Sequence, residues 1–269
     1  MPEQDDRARA VRYTRVREAL FVVDLIWGAL SQLLLFTTGR SAALRALAGR
    51  SAPRPWLADP LYLLLYGMLN RLLDLPLSYL AGHVVEHRFG LSNQGLRGWA
   101  RDLLKATALG MAFELPLTLL SYWTIRRSPR WWWLILSGLA LPFTVALAQL
   151  YPILIAPIFN KFVPLADPAL ADRVKALAGR AGVRVAEVTQ MDMSRQTRKA
   201  NAFFAGLGRS KRIALGDTLV QELTADELEV VVAHELAHQV RGDVWKGVAL
   251  SSLATLGAAF LLSRIAQPL

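Results

Sequence analysis

The chain has 269 residues, 54% of them hydrophobic, with no cysteine and a net charge of +10. A disulfide scaffold, thiol catalysis and a cysteine-held zinc are therefore excluded, and any metal must rest on histidine and carboxylate. Nucleic-acid binding is also disfavoured, because the arginines lie between long apolar runs, as flanks of membrane helices do, rather than on one basic face with stacking aromatics.

A charged N-terminal stretch precedes the first apolar run, Ala19 to Thr37, which is long enough to cross a hydrocarbon core of ~30 Å. It ends without a small-x-small cleavage signature, so it is expected to be a retained span rather than a signal peptide. Asp24 within it either faces the bundle interior or lies near the interface beside a flanking arginine. Gly39 to Asp59, punctuated by Gly49, Pro53 and Pro55, is expected to be a polar loop.

The second span is expected over Leu61 to His83, with Arg71 and Asp74 at i,i+3 neutralising each other. The third covers Leu103 to Ile125 and holds Glu114, a carboxylate that needs a partner. Trp131, Trp132 and Trp133 open the fourth as an interfacial aromatic belt, and Pro142 and Pro152 are expected to break it before Ile155.

The composition then turns polar. Asp167 to Arg180 reads as an amphipathic helix ending near Gly182, followed by strands over Val183 to Met191, Ala202 to Leu207 and Arg212 to Leu215. Gly247 to Ile265 is a fifth apolar run. The expected fold class is mainly α: a polytopic helical membrane bundle with a small α+β insert. Residues 1–156 form an N-terminal membrane domain with four transmembrane helices, 157–243 the insert, and 244–269 a fifth transmembrane helix. The N-terminal tail carries five arginines, and Arg88, Arg97, Arg101 and Lys105 follow the second span; this small bias favours tail and insert on the cytoplasmic side.

The chemistry is concentrated in Thr224 to Asp243. Thr224 is an N-cap, with Glu227 completing a capping box, and Leu228, Val231, Val232 and Leu236 recur at helical spacing. On that helix His234-Glu235-Leu236-Ala237-His238 is an H-E-x-x-H motif. Histidines at i and i+4 share a face and both reach one zinc ion, while Glu235 lies beside them to take a proton from water. The flanking valines and Ala233 are expected to keep the motif dry.

His83, Glu86 and His87 make a literal H-x-x-E-H, but its place at the end of a span favours interfacial polar residues over a second site. A catalytic zinc takes three protein ligands, and His234 and His238 supply two. Asp243, five residues after His238 at the expected helix end, is within reach of the metal but is better suited to cap the helix or to orient a ligand, and no acidic residue follows it.

Several blocks together resemble the integral-membrane CAAX prenyl protease family (type I), the membrane gluzincins. They are Glu86 to Gln94 (EHRFGLSNQ), Pro157 to Leu165 (PIFNKFVPL), Ser194 to Lys199 leading into Asn201-Ala-Phe-Phe204, Lys211 to Leu219 (KRIALGDTL), and His234 to His238. The resemblance implies a helical membrane barrel around a chamber, with a zinc site facing inward and peptide or protein substrates. In eukaryotes these are prenylated proteins cleaved near the C-terminus, whereas bacterial relatives act in membrane-protein quality control. It also implies an edge strand beside the metal at Asn201 and Ala202, which would hold substrate by strand addition.

Arg195, Arg198 and Lys199 either steer a substrate carboxylate or form a solvated face. The family's third ligand is a glutamate two spans beyond the motif helix. The chain ends at Leu269 before that point, so it is expected to be a fragment that binds zinc weakly and hydrolyses poorly alone. The alternatives are a catalytically inactive membrane scaffold or regulator, and a channel using Asp24, Asp74 and Glu114. The composition suggests a bacterial cytoplasmic membrane.

Overall fold

The computed structural model describes residues 2–205 and 212–266 and divides into two compact units, Met1–Leu120 and Ser121–Leu269. The strand expectation at 206 and 207, and the glycines between the two strands, lie outside the described residues.

The first unit is helical. It comprises α1 (Pro2–Thr37), α2 (Arg40–Ser51), α3 (Ala58–Tyr79), α4 (Val85–Arg88) and the part of α5 (Leu96–Arg127) that ends at Leu120. A π-helical turn, Leu80–Val84, joins α3 to α4 without a break. The segment expected to be loop after α1 contains α2. Alanine, leucine and arginine, strong helix formers, dominate Arg40–Ser51 and carry the helix through Gly49, while Pro53 and Pro55 lie beyond its end. Gly39, at φ +70°, makes the turn into it.

The Arg71 expectation also needs correction. Its guanidinium pairs with Glu114 on α5 at 3.3 Å, so the partner comes from another helix rather than from Asp74 one turn on. Gln32, Tyr66 and Asn70 form a polar chain between α1 and α3: Gln32 Nε2 donates to Asn70 Oδ1 at 2.7 Å and Tyr66 donates to Gln32.

Four helices have the length and hydropathy of a membrane span: Arg7–Thr37, Leu96–Arg127, Trp132–Phe159 and Asp243–Ile265. The protein is thus an integral, multi-pass membrane protein. Asn70, Arg71 and Asp74 hold α3 below that hydropathy, although it is helical throughout. The fourth expected span is not broken by its prolines. Pro142 lies inside α6 (Trp132–Leu150), and Pro152 sits in the first turn of a π-helical segment, Tyr151–Ile155, that leads into α7 (Ala156–Phe159).

The second unit adds a sheet to these helices. Strands β1 (Phe162–Pro164), β2 (Glu187–Met191), β3 (Ala202–Ala205) and β4 (Arg212–Gly216) run in the order β1-β2-β4-β3. The β2–β4 pair is parallel, with Val188 opposite Ile213, and β3–β4 is antiparallel, with Ala202 opposite Leu215. Helix α8 (Pro168–Arg180) is capped by Asp167, whose carboxylate accepts the N–H groups of Ala169 and Leu170, and it closes at Gly182 in the left-handed region. Then come α9 (Asp217–Glu222), α10 (Ala225–Arg241) and α11 (Asp243–Ala266).

One core joins the layers. Val174 and Ala178 of α8, Val188, Ile213 and Leu215 of the sheet, and Leu228, Val232 and Leu236 of α10 are all buried together. Helix α11 packs on α6, where the Trp133 ring meets Phe260 edge-on at 5.2 Å.

Candidate active site

The motif helix starts as its sequence requires. The Thr224 side chain accepts the Glu227 N–H, while the Glu227 carboxylate accepts the Thr224 N–H at 2.8 Å. That backbone bond, reinforced by the Thr224 hydroxyl, holds the Glu227 carboxyl below its ordinary range. Leu228, Val232 and Leu236 turn one face of α10 into the core, and Arg173 of α8 ties down its first turns through Glu229 and Asp226, each at 2.6 Å.

The other face carries the chemistry. The Nε2 atoms of His234 and His238 lie 3.2 Å apart. Two nitrogen ligands of a tetrahedral zinc at ~2.0–2.1 Å are separated by roughly 3.3 Å, so this spacing fits one shared ion. Glu235, between them in sequence, is half-buried. The expectation of a dry motif holds only for the core side: Val232 is buried, but Ala233 and His234 are exposed, because the helix turns that face away from the sheet.

Gly242, at φ +65°, closes α10 in the left-handed conformation and lets α11 begin at the next residue. This returns the Asp243 carboxylate to the motif. Its Oδ2 lies 2.8 Å from His238 Nδ1, and Lys246 Nζ donates to its Oδ1 at 2.9 Å. A carboxylate on Nδ1 places the proton there and leaves Nε2 unprotonated, which is the tautomer a metal needs. Among the described residues, no set of three or more His, Cys, Asp or Glu side chains is arranged to hold a metal ion.

Beside His238 lies a cavity of about 430 Å³ walled by Asn201, Phe203 and Phe204 of the β3 segment together with Tyr151 and Trp245. Strand β3 is an edge of the sheet. Of the two residues expected there, Asn201 is exposed and its carbonyl accepts the Gly216 N–H at 2.8 Å, whereas the Ala202 side chain is buried in the core. Only the backbone of Ala202 is thus available to a substrate. Arg195 is tied to the insert itself: Nη2 donates to the Phe159 carbonyl at 2.7 Å, and Nε lies 3.7 Å from Asp192.

The inverted motif is organised differently. The rings of His83 and His87 stand 4.2 Å apart, His87 Nδ1 lies 2.7 Å from the His83 carbonyl, and Glu86 accepts from the Tyr13 hydroxyl at 2.6 Å.

Sequence reasoning did not single out two residues that shape the site. Buried Asp217 accepts the Ser194 N–H at 2.8 Å and the Ser194 hydroxyl at 2.5 Å, anchoring the loop that leads to Asn201. Gly216 lets that loop approach: a Cβ there would come within 2.8 Å of Met193 Sδ and 3.0 Å of the Asn201 oxygen. Their signal is the adjacent Gly-Asp pair at the end of an apolar strand, within the Lys211 to Leu219 block.

An H-E-x-x-H helix packed under a small mixed sheet, in a chain with membrane-length helices, is the arrangement of a membrane metallopeptidase. Residues 2–161 match the family model described as CAAX prenyl protease N-terminal, five membrane helices, and residues 164–267 match peptidase family M48. The chain belongs to this family of metallopeptidases. It is 27% identical to the uncharacterized metalloprotease YhfN of Bacillus subtilis (strain 168) over 96% of its own length and 60% of that protein. It is 35% identical to CAAX prenyl protease 1 of Saccharomyces cerevisiae over 72% of its length and 43% of that protein. The crystal structure of S. mikatae Ste24p superposes with a TM-score of 0.83 at 27% identity, covering 94% of this chain and 60% of that one. The chain thus spans between two fifths and two thirds of the length of these relatives.

Proposed function

We propose that this chain carries the zinc-binding helix and catalytic base of a membrane-embedded metalloendopeptidase. The observation that carries the proposal is the 3.2 Å separation of the His234 and His238 Nε2 atoms, with Asp243 on the back of His238. His234 and His238 would hold the ion. Zinc, when bound, supplies a Lewis acid that polarises a scissile carbonyl and lowers the pKa of water.

The chain's own residues do the rest. The Glu235 carboxylate takes a proton from the attacking water and hands it to the departing amine. Asp243 keeps the His238 proton on Nδ1. The outer edge of β3 aligns an extended peptide by strand addition through the Ala202 backbone, with the exposed Asn201 side chain beside it, and Phe203, Phe204 and Trp245 offer apolar surface to its side chains.

The substrates proposed are prenylated proteins, to which the name of the CAAX prenyl protease relatives points, or other membrane-associated proteins; the spread of the arginines between apolar runs argues against a nucleic-acid partner. The working division is 1–156 for the N-terminal membrane domain, 157–243 for the catalytic insert and 244–269 for a further membrane helix. The arginine-rich tail and the insert are assigned to the cytoplasmic side of a bacterial membrane.

The test is zinc content and peptide cleavage by the purified chain, with Glu235→Gln and with His234→Ala/His238→Ala. The double histidine variant is expected to lose zinc; Glu235→Gln is expected to keep zinc and, in a protein that also carries the third ligand, to lose cleavage. Unchanged zinc in the double variant would reject the ligand assignment, and unchanged cleavage by Glu235→Gln would reject the base.

A further inference from the structure

The proposed hydrolysis makes no use of the arginines at the start of α1. The helix from Arg7 to Thr37 has 31 residues, about 46 Å at ~1.5 Å per residue, against a hydrocarbon core of ~30 Å. The apolar run from Ala19 to Thr37 fills that core. Arg15 and Arg12 then lie about 6 and 10 Å beyond its edge, from where their long side chains reach the lipid headgroups.

At that level α1 is docked on the end of α4. The Tyr13 hydroxyl donates to Glu86 at 2.6 Å, the Tyr13 ring meets Phe89 edge-on at 5.3 Å, and Arg9 Nη2 donates to the Phe89 carbonyl at 2.6 Å. Gly90, at φ +66°, permits the last contact, since a Cβ there would come within 2.9 Å of that Arg9 nitrogen.

The docking leaves a cavity of about 530 Å³ lined by four arginines, Arg9, Arg12, Arg15 and Arg88. The rest of the wall is apolar: Val16, Val85 and Phe89. Among the described residues Arg12, Arg15 and Arg88 form no ion pair. Four like charges around one cavity repel one another, and an anion among them removes that repulsion while accepting forked N–H bonds.

We propose that this cavity holds the phosphate of an anionic phospholipid, with Arg12, Arg15 and Arg88 on its oxygens and Val16, Val85 and Phe89 against its glycerol and first methylenes. The apolar wall and the headgroup depth favour a lipid over a soluble phosphate.

The test titrates phosphatidylglycerol and phosphatidylcholine into the detergent-purified full chain and counts retained lipid by native mass spectrometry. Arg12→Gln/Arg15→Gln/Arg88→Gln is compared with Arg126→Gln/Arg127→Gln/Arg130→Gln, which removes equal charge elsewhere. Circular dichroism checks that both variants fold, and Arg12→Lys/Arg15→Lys/Arg88→Lys stands in if the first does not. Phosphatidylglycerol is expected to bind at least about tenfold more tightly than phosphatidylcholine. The first variant should lose at least about tenfold of that affinity and the control less than about twofold, as near-surface arginines contribute individually to anionic-lipid binding. The lysine form should weaken binding without abolishing it, because charge remains but forked bonding is lost. Equal affinity for the two lipids, equal losses in the two glutamine variants, a lysine form indistinguishable from the unaltered chain, or displacement of the lipid by millimolar inorganic phosphate would each overturn the proposal.

Discussion

Replacing Asp243 with asparagine tests the way the site presents His238. In the structure one carboxylate oxygen lies 2.8 Å from His238 Nδ1 and the other accepts from Lys246 at 2.9 Å. An asparagine side chain satisfies only one of these neighbours. With its oxygen toward Nδ1, its NH2 faces the Lys246 ammonium, donor against donor. With its NH2 toward Nδ1, the ring must carry its proton on Nε2, and Nε2 then has no lone pair for a metal. Loss of such an orienting partner lowers metal affinity by about 10–100-fold, or roughly 1.4–2.7 kcal/mol.

The assay is zinc competition against a chromophoric chelator, on the detergent-purified chain at pH 7.5. Lys246→Met is the control, since it keeps the carboxylate on Nδ1 and should change the affinity by less than about threefold. Equal zinc affinity for Asp243→Asn and the unaltered chain would refute the reasoning. A loss as large in Lys246→Met would refute it too, by making local charge rather than the Nδ1 bond the cause.

Leu228→Ala removes a side chain that is 1% exposed at the junction of α10 with the core; a destabilisation of about 2–5 kcal/mol is expected as a lowered midpoint of thermal unfolding. Glu227, held below its ordinary pKa by the Thr224 N–H and hydroxyl, stabilises the fold above the ordinary glutamate range, and that contribution is lost as the pH falls through its lowered folded-state value. Unfolding midpoints of the unaltered chain and Glu227→Gln should therefore differ most near neutrality and converge in acid, and a constant difference would contradict the assignment. Gly216→Ala puts a Cβ 3.0 Å from the Asn201 oxygen, so amide exchange in β3 and β4 should accelerate while α8 stays protected.

What the sequence made legible was local. The capping box, the apolar stripe and the paired histidines all lie within one helix, where spacing dictates geometry, and each sits where its spacing placed it. Of the insert's strands, β2 was legible from the β-branched residues of Val183 to Met191, although only Glu187–Met191 is strand, and β3 and β4 as apolar runs on either side of glycines, whereas three-residue β1 is too short to show a period. What stayed hidden depends on partners distant in sequence. Arg71 finds Glu114, 43 residues away, rather than its helical neighbour. Asp217 and Gly216 acquire their roles only once strand register brings Ser194 and Asn201 against them. Helix α2 was hidden for another reason: Pro53 and Pro55 lie just beyond its end, and Gly49, inside it, weakens the helix without breaking it.

Asp243 lies between these cases. At about 100° per residue, five residues along an unbroken helix would carry its side chain roughly 140° around the axis from His238, away from the imidazole. Spacing alone therefore argues against the contact that the structure contains at 2.8 Å. The contact exists because Gly242 takes the left-handed conformation and starts a new helix axis at Asp243. A side chain at position 242 would strain that turn, so the residue with no side chain determines whether His238 keeps its orienting carboxylate.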